Sequence, residues 1–204
     1  MRRGGPRLSG PSLEALRHLL HPLVSRLSAM GVSPDLVTLL GWALSMFSAV
    51  LFAAGEVRLA AVVMLAGGLF DALDGSIARQ TNRTSDFGAF LDSTLDRLSE
   101  SAILVGLVFF FAASGRPVGA LVAGAAMTFS LLTSYSRARA EVLGYECNVG
   151  VMGRAGRVAV LGFGSLAGAP LAAAAIVATG AAVTSFQRVL HVRGLYLADR
   201  EKRR

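Results

Sequence analysis

Asp71-Ala72-Leu73-Asp74-Gly75-Ser76-Ile77-Ala78-Arg79 and Gly88-Ala89-Phe90-Leu91-Asp92-Ser93-Thr94-Leu95-Asp96 place four carboxylates at the ends of two apolar runs. Asp71 and Asp74 are three residues apart and Asp92 and Asp96 four, so each pair shares one face of a helix. Leu59 to Phe70 leads into the first pair, and Ser101 to Gly115 follows the second. A hairpin of these two helices turns both pairs towards each other at one edge of an apolar layer.

The rest of the chain supplies that layer. Of 204 residues, 53% are hydrophobic and 16% charged, and mean hydropathy is +0.57. Soluble domains carry about 25% charged residues, so the composition is that of a membrane protein. Apolar content is also too high for a disordered chain. The net charge is +7 and only Lys202 among the cations is not arginine. These cations flank apolar runs, which favours anionic head groups over nucleic acid. The single Cys147 forms no intrachain disulfide, and no Cys/His cluster suits zinc. Pro6, Pro11 and Pro22 interrupt a basic first segment, and no cleavable leader is expected from it.

A spanning helix needs about 20 mostly apolar residues. Leu36 to Gly55 meets this without a charge, as does Pro117 to Ser136. Residues 58–80 and 85–114 each combine an apolar run with one carboxylate pair. Val158 to Gln187 is charge-free but too long for one ordinary span, and Gly168-Ala169-Pro170 divides it. Upstream, Leu13, Leu16, Leu20, Val24 and Leu27 recur at helical spacing among Arg17, His18 and Arg26, the pattern of a helix lying on the membrane surface. The expectation is an all-α integral membrane protein: six transmembrane helices preceded by an N-terminal amphipathic juxtamembrane helix. Residues 1–32 form the basic surface segment, 33–194 the six-helix domain, and 195–204 a short basic tail.

Six spans put both termini on one side. That side holds Arg79, Arg83, Arg137, Arg139, Arg154, Arg157 and Arg188 besides the basic termini, against Arg58 and Arg116 opposite. The asymmetry makes the termini and the carboxylates cytoplasmic, in the cell membrane.

Four acids held together repel unless a cation cancels them, and acids at a membrane edge are costly enough to imply a function. All-oxygen ligands favour Mg²⁺, Mn²⁺ or Ca²⁺ over zinc. Gly75 leaves a bare helix face beside Asp74 for a bulky ligand, and Arg79, one turn on, suits a phosphate. The competing structural reading pairs the acids with Arg79, Arg83 and Arg97; the four-acid spacing with Gly75 and Gly88 argues against it. Ser85 suits either a phosphate contact or the cap of the following helix.

These residues resemble the CDP-alcohol phosphotransferase family, whose motif is D-x₂-D-G-x₂-A-R-x₈-G-x₃-D-x₃-D. Asp71, Asp74, Gly75, Ala78, Arg79, Gly88, Asp92 and Asp96 match every fixed position with all spacings kept. The resemblance implies that Asp71, Asp74 and Asp92 hold a pair of Mg²⁺ or Mn²⁺ ions, with Asp96 in or beside that shell and serving as general base. It implies that Gly75, Ala78, Arg79 and Gly88 form the nucleotide site for a CDP-linked lipid such as CDP-diacylglycerol or an ether analogue. Asp35 and Thr38 in Pro34-Asp35-Leu36-Val37-Thr38 resemble the family's first-helix segment, where many members carry Asn at the position of Asp35. Family members are often homodimers, so a second copy is an implied partner.

The implied reaction is attack of an acceptor hydroxyl on the β-phosphoryl group with loss of CMP. Arg137, Arg154, Arg157 and Arg188 lie at three helix ends expected on the carboxylate side, where basic side chains suit a phosphorylated polyol. They resemble the phosphatidylinositol-phosphate synthase branch, which implies inositol 1-phosphate as acceptor. That branch usually has Arg-Pro-Glu-Arg where this chain has Arg154-Ala155-Gly156-Arg157. Glycerol 3-phosphate, the acceptor of a phosphatidylglycerophosphate synthase, is also anionic and stays open. Arg139 is instead expected to pair with Glu141 or Asp86. His18, His21 and His191 read as interfacial, and Cys147 as incidental. Two rival classes are a cation transporter and a silent lipid-binding scaffold. The first is disfavoured by acids at one edge and by the lack of an inverted repeat, the second by the intact motif.

Overall fold

The computed structural model describes residues 34–80 and 85–202; at 34–35, 71–80 and 202 the description is confined to the backbone. The amphipathic helix expected before residue 33 lies outside the described residues. Six α-helices follow: α1 (Pro34–Ala53), α2 (Val57–Gln80), α3 (Asp86–Ala113), α4 (Pro117–Val142), α5 (Arg154–Leu166) and α6 (Pro170–Lys202). The expected boundaries hold within a few residues except at two ends. α4 continues to Val142, and α6 runs on through the segment expected to be a separate tail after residue 194.

Prolines open α1, α4 and α6, where a missing N–H and a fixed φ are no handicap. Three-residue reversals join α1 to α2, α3 to α4 and α5 to α6. The last is the expected break. Gly168 sits there at φ +78°, a region closed to most side chains but open to glycine. α5 therefore stops at Leu166 and α6 restarts at Pro170.

The helices close into a ring in the order α1–α2–α5–α6–α4–α3 and back to α1. Its interior holds Phe52, Met64, Leu104, Leu107, Phe111 and Val177 among the alanines 60, 61, 123, 126, 173 and 174. Those small residues let backbones approach closely, as membrane helix packing requires. The tightest approach is at Gly106, where a Cβ would lie 2.2 Å from the Ala49 carbonyl oxygen. Ser48 also donates across the α1–α2 contact to the Ala60 carbonyl at 2.8 Å. The outer faces carry Phe47, Val50, Val105, Leu121, Phe163, Ile176, Phe186 and Leu190, all exposed. The triple phenylalanine divides: Phe109 faces outward, while Phe111 is fully buried, with the Arg116 guanidinium 5.3 Å from its ring centre.

Three helical segments are long and apolar enough to cross a membrane: Leu36–Ala53, Pro117–Val142 and Pro170–Glu201. α2 adds a shorter apolar stretch, Val57–Phe70. α5, at 13 residues, is about 20 Å long and does not match the roughly 30 Å hydrocarbon thickness alone. At 1.5 Å per residue, Asp96 lies about 26 Å from the end of α3, Arg137 about 30 Å from the start of α4 and Arg188 about 27 Å from the start of α6. Three helices thus deliver their charged residues to a common level, opposite the short reversals.

Candidate active site

At that level the ring opens into a cleft of about 310 Å³. α3 contributes Asp92, Asp96 and Glu100, α4 Thr133, Arg137 and Glu141, α5 Arg154 and Arg157, and α6 Arg188. The cleft thus gathers Asp92, Asp96, Arg137, Arg154, Arg157 and Arg188, all singled out from sequence. Residues 62 positions apart in the chain, Asp92 and Arg154, line the same cleft. Asp71, Asp74, Gly75, Ala78 and Arg79 fall in the last turns of α2, and Asp35 in the first turn of α1, but their side chains lie outside the described residues.

The cations differ in what they hold. Arg154 pairs with Asp96, Nη2 to Oδ1 at 2.8 Å, with both side chains partly exposed. Arg137 forms an i,i+4 pair with Glu141 at 2.9 Å, half exposed. Glu141 therefore pairs with Arg137 and not with Arg139; residues two apart on a helix face different ways. Arg188 is buried and spans two elements. Its Nε donates to the Val149 carbonyl at 3.0 Å and its Nη1 to the Thr133 carbonyl. Among the described residues nothing else bonds its guanidinium. The buried hydroxyls of Thr133 and Ser185 meet at 2.8 Å and support that joint between α4 and α6.

Arg157 also lines the cleft but is almost wholly buried. Its side chain is 2% exposed, and the Glu100 carboxylate takes Nε at 2.6 Å and Nη2 at 2.8 Å. Nη1 leans on the Met152 carbonyl at 3.4 Å. A guanidinium so enclosed and so paired is held fast within the cleft wall. Glu100 itself was missed by the sequence reading. The signal was present, since Asp92, Asp96 and Glu100 continue one i,i+4 series on α3. A match to a motif that ends at Asp96 stops one turn short of it.

A second, narrower crevice passes between α1, α2, α3 and α5 and also reaches Asp96 and Arg154. Thr38, Trp42, Gly67 and Gly68 line it, so Thr38 shares a crevice with Asp96. Ser85 is the N-cap of α3, its hydroxyl accepting from the Gly88 N–H at 2.9 Å. Cys147 is fully buried. The His191 imidazole meets the Glu146 carbonyl at 3.1 Å, away from the carboxylates.

Residues 31–191 match the CDP-alcohol phosphatidyltransferase family. The chain belongs to this family. An archaetidylinositol phosphate synthase of Methanothermobacter thermautotrophicus is 36% identical over 183 residues, covering 87% of this chain and 90% of that one. A phosphatidylinositol phosphate synthase of Streptomyces avermitilis is 38% identical over 190 residues, covering 86% and 78%. The crystal structure of the Mycobacterium tuberculosis phosphatidylinositol phosphate synthase with CDP-DAG bound superposes with a TM-score of 0.76 at 31% identity, over 84% of this chain and 92% of that one. The same enzyme in complex with manganese and citrate gives 0.77 at 31% identity, over 84% and 87%. The family membership makes this chain a CDP-alcohol phosphatidyltransferase, and its transporter and scaffold alternatives fall away.

Proposed function

We propose that the chain transfers the phosphatidyl group, or its ether analogue, from a CDP-lipid to the hydroxyl of inositol 1-phosphate, releasing CMP. The supporting observation is the cleft that sets the α3 carboxylates against Arg137, Arg154 and Arg188. An anion gains most from arginines already held in place, because little ordering remains to be done. Arg188 is fixed by two backbone carbonyls. The relatives named for inositol phosphate lipids, together with the mycobacterial structure bound to CDP-DAG, support the same substrates.

All six helices cross the membrane in this reading, the shorter α5 included. The termini and the cleft face the cytoplasm of the cell membrane, where soluble acceptor and CMP come and go.

Asp92 and Asp96 offer oxygen donors only, one turn apart on the cleft wall. That set fits Mg²⁺ or Mn²⁺, and the mycobacterial enzyme binds manganese. Asp71, Asp74 and Asp92 hold the ions, with Asp96 at their edge. The bound ions orient the diphosphate and neutralise charge as the CMP oxygen departs. Gly75, Ala78, Arg79 and Gly88, with Asp35 and Thr38, seat the nucleotide. Arg137, Arg154 and Arg188 bind the acceptor phosphate and aim its ring hydroxyl at Asp96. The Asp96 carboxylate takes the hydroxyl proton as the oxygen bonds to the β-phosphorus and the bond to CMP breaks. A carboxylate is a weak base at neutral pH. It suffices when the proton moves late, since positioning and charge neutralisation carry most of phosphoryl transfer.

The test is CMP release by the purified protein with CDP-diacylglycerol and Mn²⁺, offering inositol 1-phosphate, glycerol 3-phosphate, free inositol and serine separately. Release with inositol 1-phosphate alone is expected. Release with glycerol 3-phosphate alone would keep the carboxylate site and overturn the acceptor.

A further inference from the structure

α3 and α5 are not neighbours in the ring; α2 and α1 lie between them on one side, α6 and α4 on the other. Yet two ion pairs join them across the interior. Asp96 meets Arg154, and one turn deeper Glu100 meets Arg157. The deeper rung is the more enclosed, with side chains 11% and 2% exposed against 20% and 31%. It is also bidentate, the geometry that fixes a guanidinium in both position and plane. Arg154 and Arg157 occupy the first turn of α5, following a long connection whose residues 143–153 form no regular element. The connection just before that turn is tied to α6, the Val151 N–H donating to the Gln187 side chain at 3.2 Å and the Met152 N–H to the Thr184 hydroxyl at 3.0 Å. The Glu100–Arg157 rung ties the turn itself to α3.

From this we infer that Glu100 is a positioning residue for the acceptor. By clamping Arg157 it holds the first turn of α5 so that Arg154 stands beside Asp96 with its guanidinium towards the cleft. Arg157 serves as the handle, not as a phosphate ligand. The inference rests on the reading above that Arg154 meets the acceptor phosphate. The CDP-lipid side in that reading rests chiefly on α1, α2 and the start of α3; Glu100 also lines the Thr38 crevice, so the two substrates are assayed separately.

The test uses the full chain in detergent micelles with Mn²⁺, CDP-diacylglycerol and inositol 1-phosphate, comparing wild type with Glu100→Gln, Arg157→Gln and the double variant. Each single change leaves one buried charge without its partner, and destabilises for that reason alone. The double variant removes both charges, so its unfolding temperature returns towards wild type. Its acceptor KM is nonetheless expected to stay raised by about 10- to 100-fold, because a displacement on the order of 1 Å in a positioning group costs that much. The KM for CDP-diacylglycerol is expected to stay near the wild-type value, since a change that removes no contact to that substrate leaves its binding unchanged. A double variant that regains both stability and acceptor KM would show the pair to be purely structural and overturn the inference. Equal rises in both KM values would overturn it too. Wild type that releases no CMP with inositol 1-phosphate would sink the acceptor reading, and this inference with it. Wild-type turnover with unshifted double-variant kinetics would sink this inference alone.

Discussion

Asp96→Asn replaces a carboxylate by an amide of the same shape, so it removes the base and leaves the volume of the cleft unchanged. Two losses follow, of different size. The ion pair with Arg154 at 2.8 Å is broken, but its side chains are 20% and 31% exposed. Water screens such a pair, so the stability loss is on the order of 1 kcal/mol. Removing a general base costs about 10²- to 10⁴-fold in rate, equivalent to about 2.7–5.4 kcal/mol of barrier. The variant should therefore fold, insert and bind CDP-lipid in the presence of Mn²⁺, while CMP release at saturating acceptor falls by at least a hundredfold. Arg154→Gln is the control, since it breaks the same pair but keeps the carboxylate. It should raise the acceptor KM and retain at least tenfold more kcat than Asp96→Asn. The assay is steady-state CMP release at saturating and limiting acceptor, with unfolding temperature measured on the same preparations. A kcat for Asp96→Asn within tenfold of wild type, or equal to that of Arg154→Gln, would refute the assignment of Asp96 as base.

Other outcomes follow from single contacts. Arg188→Lys keeps the charge but cannot reach both the Val149 and Thr133 carbonyls, so acceptor KM should rise about tenfold and stability should fall, each hydrogen bond to a charged group being worth about 1.5–3 kcal/mol; unchanged KM by titration with inositol 1-phosphate would contradict it. Gly106→Ala forces α1 from α3, because the new Cβ meets the Ala49 carbonyl at 2.2 Å, and should cost about 1–3 kcal/mol in a denaturation midpoint. Ser85→Ala loses the α3 N-cap and should cost about 0.5–2 kcal/mol; a CDP-lipid KM that shifts more than the stability would assign the hydroxyl a substrate contact. Chelating divalent metal should abolish CMP release, and Mn²⁺ added back should restore it without refolding; activity surviving exhaustive chelation would overturn the metal assignment.

The helices were readable because each carries its own signal. Apolar runs of spanning length, prolines at their starts and Gly168-Ala169-Pro170 between α5 and α6 are local features, and the backbone follows them. So is the eight-position carboxylate motif, whose spacings are helical periods, and it was enough to name the family. The extent of α4 and α6 was not readable from hydropathy. Their last turns are polar, yet they stay helical, because a helix already nucleated extends through polar residues at little cost.

What each charge does was decided elsewhere. Arg154 and Arg157 look alike in sequence, three residues apart on one short helix. The ring puts one at the cleft beside Asp96 and the other, almost wholly buried, against Glu100. Arg188 reads as one more basic residue at a helix end, and tertiary structure makes it a joint between two elements. Sequence alone therefore determined the helices, their break points and the family's carboxylate motif, because periodicity and propensity act within a few residues of chain. Tertiary structure alone decided which arginine is paired, buried or left facing the cleft. The energy of a charge depends on what surrounds it, and its neighbours here come from segments about 40 to 60 residues away along the chain.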